Sequence, residues 1–144
     1  MSQKDKELLL KDLCGRVPYG VKCKYNDGVI VNILSVNFFY KQIEGWERYV
    51  NHTLKYDVED VKQYLFPLSS MTEKQKNEII DLGWSFDNDD SRICNILECF
   101  GTYRAYVDHS CCFELIDWCI KNHFDYRGLI PMGLAIDATG KNIY

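Results

Sequence analysis

The sequence predicts a single α+β domain over residues 1–144, a twisted antiparallel sheet of hairpins with three to four helices. Three observations predict it. A chain of 144 residues with 47 % hydrophobic content is long enough for one core and too short for two good ones. Stretches of period-two alternation flank strong turn signals, which is how hairpins read. Apolar residues at helical spacing follow cap residues at Ser2, Thr72 and Ser110.

The elements follow in order. Ser2 caps a first helix, with Asp5 in the early turn where a carboxylate suits the helix dipole. Leu9, Leu10, Leu13 and Cys14 form its apolar stripe, and Gly15 and Pro18 end it. The RVPYG segment that follows is a turn. VKCKY (21–25) alternates, Asn26-Asp27-Gly28 turns the chain, and VIVNILSV completes a β-hairpin. GWERYVNHTLKYD (45–57) reads as a third strand. EDVKQYLFPLSSM (59–71) reads as a short helical turn broken at Pro67. Thr72 and Gln75 form a capping box that opens a mostly polar helix, which Gly83 stops. DNDDSR (87–92) is an exposed acidic loop, and residues 92–107 read as a second hairpin turning at Gly101. Ser110 caps a last helix reaching about Asn122, with Cys112, Leu115, Ile116 and Cys119 on one face and an Asp117–Lys121 i,i+4 pair. No internal repeat, linker or domain boundary interrupts the chain.

Charge and cysteine content narrow the function classes. The formal net charge is −4, and residues 71–144 carry seven basic and twelve acidic groups against ten and nine in residues 1–70. No Lys/Arg cluster is present, which argues against duplex nucleic acid as a partner. The N-terminus has only three consecutive leucines between charges. A signal peptide needs a longer apolar stretch, and a membrane span needs about 20 such residues. Seven cysteines without an export signal point to free thiols in a reducing cytoplasm and to no membrane.

Catalytic and metal chemistry find little support. Asp87, Asp89, Ser91 and Glu98 fall at ligand positions of a calcium loop, but Arg92 stands where the loop needs glycine. Cys94, Cys99, His109, Cys111, Cys112, Cys119 and His123 lack the paired short spacing of a zinc site, and no metal or other cofactor is expected. Cys111 or Cys112 with His109 or His123 could form a thiol site, since a helix N-terminus beside Ser110 lowers a thiol pKa. No phosphate-cradling glycine loop, nucleophile elbow or paired-carboxylate pattern accompanies them.

Binding is left. Arg127 offers a planar fork for two acceptor oxygens, flanked by Tyr126 for stacking and by Asp125. Arg16 and Tyr19 repeat that pairing in RVPYG, and Ser69 and Ser70 bring hydroxyls before a capped helix. Each also has a plain structural use: Asp125 could pair with Arg127, Tyr126 could close the core, the serines could cap, and His123 fits the end of the last helix. Together, Arg127, Tyr126, Asp125, Ser69, Ser70, Tyr19 and Arg16 are the candidate ligand-binding residues.

Three blocks carry a resemblance: LLLKDLCGRVPYGVKC (8–23), DVKQYLFPLSSMTEKQ (60–75) and IDWCIKNHFDYRGLIPMGLAI (116–136). They resemble shared segments of a family of short uncharacterised proteins encoded by phages, prophages and mobile elements of gut Bacteroidota. The resemblance brings no activity, cofactor or catalytic residue. It implies work inside a bacterial host during infection or lysogeny, where small acidic proteins commonly act by binding. The leading expectation is a non-catalytic protein that interferes with a host defence or regulatory process by sequestering a small anionic, nucleotide-type signal. The alternatives are a protein–protein inhibitor of a host defence or nucleic-acid-binding protein, and a small cysteine-dependent enzyme. A homo-oligomer with pockets between subunits would suit a sequestering role.

Overall fold

Helix α1 (Gln3–Arg16) starts at the expected cap: the Ser2 hydroxyl accepts from the Asp5 amide, and the Asp5 carboxylate accepts from the Ser2 amide. In this computed structural model, residues 1–25, 28–47, 52–82 and 109–144 are described, with side chains from 113 onward in the last segment. The helix lays Leu9, Leu10 and Leu13 onto a sheet of six strands.

The strands are β1 (Lys22–Tyr25), β2 (Ile30–Asn37), β3 (Gln42–Glu47), β4 (Thr53–Asp57), β5 (Val61–Leu65) and β6 (Ala135–Asp137), in the order β4-β3-β2-β1-β5-β6. All pairs are antiparallel except β5–β6. Helix α2 (Glu73–Asp81) begins with the Thr72–Gln75 capping box, and helix α3 (His109–Lys121) packs beside α1. The architecture is a mixed α+β domain with a mostly antiparallel sheet, as the sequence predicts.

Three local expectations need correction. GWERYVNHTLKYD holds the end of β3 and all of β4, which pair with each other, so the segment is a hairpin and not one strand. The Val61–Leu65 stretch of EDVKQYLFPLSSM is strand β5, paired on both sides, with only short 3-10 turns flanking it. Helix α3 begins at His109, one residue before the expected cap Ser110. Strand β6 had no sequence signal of its own. The expected hairpin over 92–107, the acidic loop, Gly83 and the Cys94–Cys99 pair lie outside the described residues.

The core sits between α1 and the sheet: Val21, Cys23, Val31, Ile33, Ile43, Tyr56, Val58 and Val61 meet the α1 leucines. Gly45 allows this closeness, because a Cβ there would lie 2.3 Å from the Val31 Cγ1. A second cluster joins α2 to α3 through Met71, Ile79, Leu115, Cys119 and Phe124. Leu115 and Cys119 lie on the expected α3 face, with Ile116 half-buried.

Helix α3 ends in a Schellman motif: Phe124 N–H donates to the Cys119 carbonyl and His123 N–H to the Ile120 carbonyl. This places His123 at a left-handed position (φ +59°), where glycine is usual. Its ring stacks on Tyr144 at 3.8 Å between centroids, and the Tyr144 hydroxyl donates to the Tyr64 carbonyl.

Candidate functional site

The seven sequence candidates do not converge. Three of them, Arg16, Tyr126 and Arg127, gather around a residue the sequence reading missed, Asp12. Arg16 is fully buried; its Nε donates to Asp12 Oδ2 at 2.6 Å and its Nη2 to the Phe124 carbonyl at 2.8 Å. Its Nη1 faces the carbonyls of Cys119 (3.5 Å) and Ile120 (3.4 Å), where a cation satisfies the open end of α3. Gln63 on β5 donates to Asp12 Oδ2 at 2.8 Å, and Arg127 Nε donates to Asp12 Oδ1 at 3.1 Å. Asp12, with no exposed side-chain surface, thus accepts from three side chains on three parts of the chain.

Tyr126 lies between the two guanidinium groups, its ring centroid 4.8 Å from the Arg127 Cζ and 5.7 Å from the Arg16 Cζ. Burial, then the Asp12 charge, raises its phenol pKa, while the arginines pull the other way. The stacking expected between Arg16 and Tyr19 is therefore made with Tyr126 instead. Tyr19 is exposed at the turn after α1.

Asp125 does not pair with Arg127. Its carboxylate accepts from the amides of Leu129 (2.7 Å) and Ile130 (2.8 Å), fixing the turn into β6, while its own amide donates to the Phe66 carbonyl. The Ser70 hydroxyl donates back to the Pro67 carbonyl at 2.7 Å; Thr72, not a serine, caps α2. Ser69 is exposed. Among the described residues, no hydrogen bond joins either serine to the arginine corner. Arg16 and Asp125 are committed to the fold; Arg127, with a third of its side chain exposed, is the member of the group that reaches solvent.

The described thiols are poor nucleophiles. Burial raises the pKa of Cys23 strongly, pushes Cys119 up to about 12 and raises Cys14 less. Burial pulls His123 down to about 4, so its imidazole is neutral. The side chains of His109, Cys111 and Cys112 lie outside the described set. Among the described residues, no three His, Cys, Asp or Glu side chains cluster as metal ligands, and no helix is long and apolar enough to cross a membrane.

A second region was not singled out from sequence. On β2, Val31 and Ile33 point to the core, so Ile30 and Leu34 point to the opposite face. On β3, Ile43 and Gly45 face the core and Trp46 faces away. A turn of Phe38, Phe39, Tyr40 and Lys41 joins the strands, held by the Asn37 carboxamide accepting from the Tyr40 amide. Ile30, Leu34, Phe38, Phe39, Tyr40 and Trp46 are all exposed, Phe39 by 86 % and Leu34 by 54 %. Two signals in the sequence could have shown this: NFFY places three aromatics in a turn, and VIVNILSV puts large aliphatics on both faces of one strand.

No protein-family model matches the chain, and neither the curated proteins nor the solved structures contain a match.

Proposed function

We propose that this is a non-catalytic binding protein whose working surface is the outer face of the β2–β3 hairpin and whose partner is another protein. One observation carries the reading: six large apolar side chains lie exposed on one hairpin, between residues 30 and 46. Exposed apolar groups scattered singly need no explanation, but a grouped set on a rigid sheet is the signature of a contact surface. Aromatic residues dominate it, and aromatics anchor protein interfaces. The resemblance of the three blocks to phage and mobile-element proteins supports a bacterial host defence or regulatory protein as the target.

The test compares the parent with a Leu34→Asp/Phe39→Asp variant as bait in bacterial lysate, followed by reconstitution from purified components. A stoichiometric protein held by the parent, lost by the variant and bound again after purification supports the reading. A partner held equally by both moves the working surface elsewhere.

Capture of a small anionic ligand at Tyr126–Arg127 is the second reading, favoured by the partly exposed Arg127 guanidinium stacked on Tyr126. A thermal-shift screen with nucleotides, run beside Arg127→Ala, tests it. A midpoint shift present in the parent and absent in the variant supports this site.

A further inference from the structure

The apolar stripe has a charged border, and the border specifies the partner. Strand pairing gives the order of side chains across the outer face. Thr53 on β4 lies opposite Trp46 on β3, Trp46 opposite Asn32 on β2, and Asn32 opposite Lys22 on β1. In the next row Ile30 lies opposite Lys24, and Lys24 directly opposite Lys62 on β5. On the other side, Lys55 of β4 lies opposite Glu44 of β3, 3.8 Å away. Ile30, Leu34 and Trp46, with Asn32, Ser35 and Glu44 beside them, thus lie between lysines on both flanks.

Two of these lysines are an anomaly. Like charges directly opposite on neighbouring strands destabilise a sheet, yet Lys24 and Lys62 are cross-strand partners and both are exposed. Among the described residues, no carboxylate forms an ion pair with either one. Lys22 is held apart from them, its ammonium donating to the Ile143 carbonyl and lying 5.6 Å from the Tyr144 ring centroid. Counting side chains on the outer face of β1 to β5, four lysines (22, 24, 55, 62) stand against Glu44 and Asp57. The chain as a whole is acidic, at −4. Among the described strand residues this face is therefore net positive, while the chain as a whole is negative.

From this placement we infer that the surface receives an amphipathic helix of a partner protein, with an apolar stripe bordered by carboxylates. The dimensions agree. Neighbouring strands lie about 4.8 Å apart, so β4 to β1 spans roughly 14 Å. A helix with side chains is about 10–12 Å across. Laid along β2–β3, it buries its apolar stripe on Ile30, Leu34 and Trp46. Its flanking carboxylates reach Lys24 and Lys62 on one side, while on the other Lys55 keeps its pairing with Glu44. Binding relieves the Lys24–Lys62 repulsion, and opposite charge gives register and partner choice. A single-stranded nucleic acid fits less well: Ile30 and Leu34, unlike Trp46, offer no ring to stack a base, and among the described residues no arginine lies on the face. The inference rests on the proposed function, since it assigns the partner chemistry of that same surface.

The test uses the full chain and three fluorescent probes. One is an 18-residue peptide with leucines at positions i, i+3, i+4 and i+7 and glutamates beside them. The second is its twin with lysines for glutamates, and the third is a 15-nucleotide oligothymidine. Fluorescence anisotropy is read for the parent, for Lys24→Glu/Lys62→Glu, for Lys24→Gln/Lys62→Gln and for Leu34→Asp. The expected result is at least tenfold tighter binding of the glutamate peptide than of the lysine twin, weakened by salt. The glutamine variant loses that preference, the glutamate variant reverses it, and Leu34→Asp abolishes binding. Equal affinity for both peptides, lost in Leu34→Asp, overturns the acidic preference and leaves the protein-binding reading standing. Glutamate-peptide preference that survives Leu34→Asp overturns the apolar reading instead. Preferred binding of the oligonucleotide, or of none of the three, overturns the inference.

Discussion

Two regions of this molecule invert the usual placement of side chains. At the Asp12 corner, two arginines, a glutamine and a carboxylate meet in or beside the interior; on the outer face of β2–β3, leucine, isoleucine and aromatics stand in water. The corner has the residues expected of a ligand site, yet its charges already answer one another. The hairpin has the residues expected of a core and nothing among the described residues to cover them. What a side chain does follows from whether its partners are inside the fold.

The largest expected effect separates the two regions by stability. Asp12→Ala leaves Arg16 buried without its counter-charge and should cost about 3–5 kcal/mol, read by urea denaturation. An Asp12→Leu/Arg16→Met double variant should recover much of that loss, because an apolar pair needs no counter-charge. If Asp12→Ala were nearly neutral, the corner would be no fold element, and its groups would again be candidates for a ligand.

Adjacent residues of β2 give the next contrast. Ile33 is 2 % exposed and Leu34 54 %. Ile33→Ala should cost about 2–5 kcal/mol through lost burial and a cavity. Leu34→Ala should stay within about 0.5 kcal/mol. Comparable losses at both positions would mean that Leu34 is buried in solution by something.

Asp125→Ala should cost about 1.5–3 kcal/mol, since its carboxylate holds the Leu129 and Ile130 amides by charge-assisted bonds. Denaturation of the variant checks it. A loss near zero would free Asp125 for a role toward Arg127.

The acid limb of stability isolates His123. Its folded pKa is about 4 against an ordinary 6.5, so the unfolded chain takes up the proton first. Stability from this group is full above about pH 6.5, falls as the pH drops toward 4, and changes no further below. The difference in stability between parent and His123→Asn, which tolerates the left-handed backbone, should show that slope. A difference independent of pH would mean that the ring is protonated in the fold.

Local features were legible in the sequence. Both helix caps, the three leucines of the α1 stripe and the first hairpin are written within a few residues of one another, where propensity and hydrogen-bonding geometry decide; Cys14, expected in that stripe, is exposed instead, because the buried side of α1 runs through Asp12 and Arg16. Strand β5 was not, because Gln63 sits on its core face and breaks the alternation; the residue that justifies it there, Asp12, lies 51 positions away. β6 is three residues that become a strand only by pairing in parallel with β5. The corner misled for the same reason. Arg127 and Tyr126 were rightly read as neighbours, but the partner of Arg127 is 115 positions away, and Asp125 had a nearer use in its own turn. One clue was available: Asp12 and Arg16 are an i,i+4 pair bordering the stripe of Leu9 and Leu13, so both could have been placed at the buried side of α1.

The most direct measurement pairs stability with binding in one variant, Leu34→Asp/Phe39→Asp, using urea denaturation and anisotropy with the glutamate-bordered helical peptide. The expected result is an unfolding free energy within about 0.5 kcal/mol of the parent, with peptide affinity reduced more than tenfold. Undiminished affinity, or a fold that collapses when these two side chains are charged, would contradict the assignment of the β2–β3 outer face as the working surface.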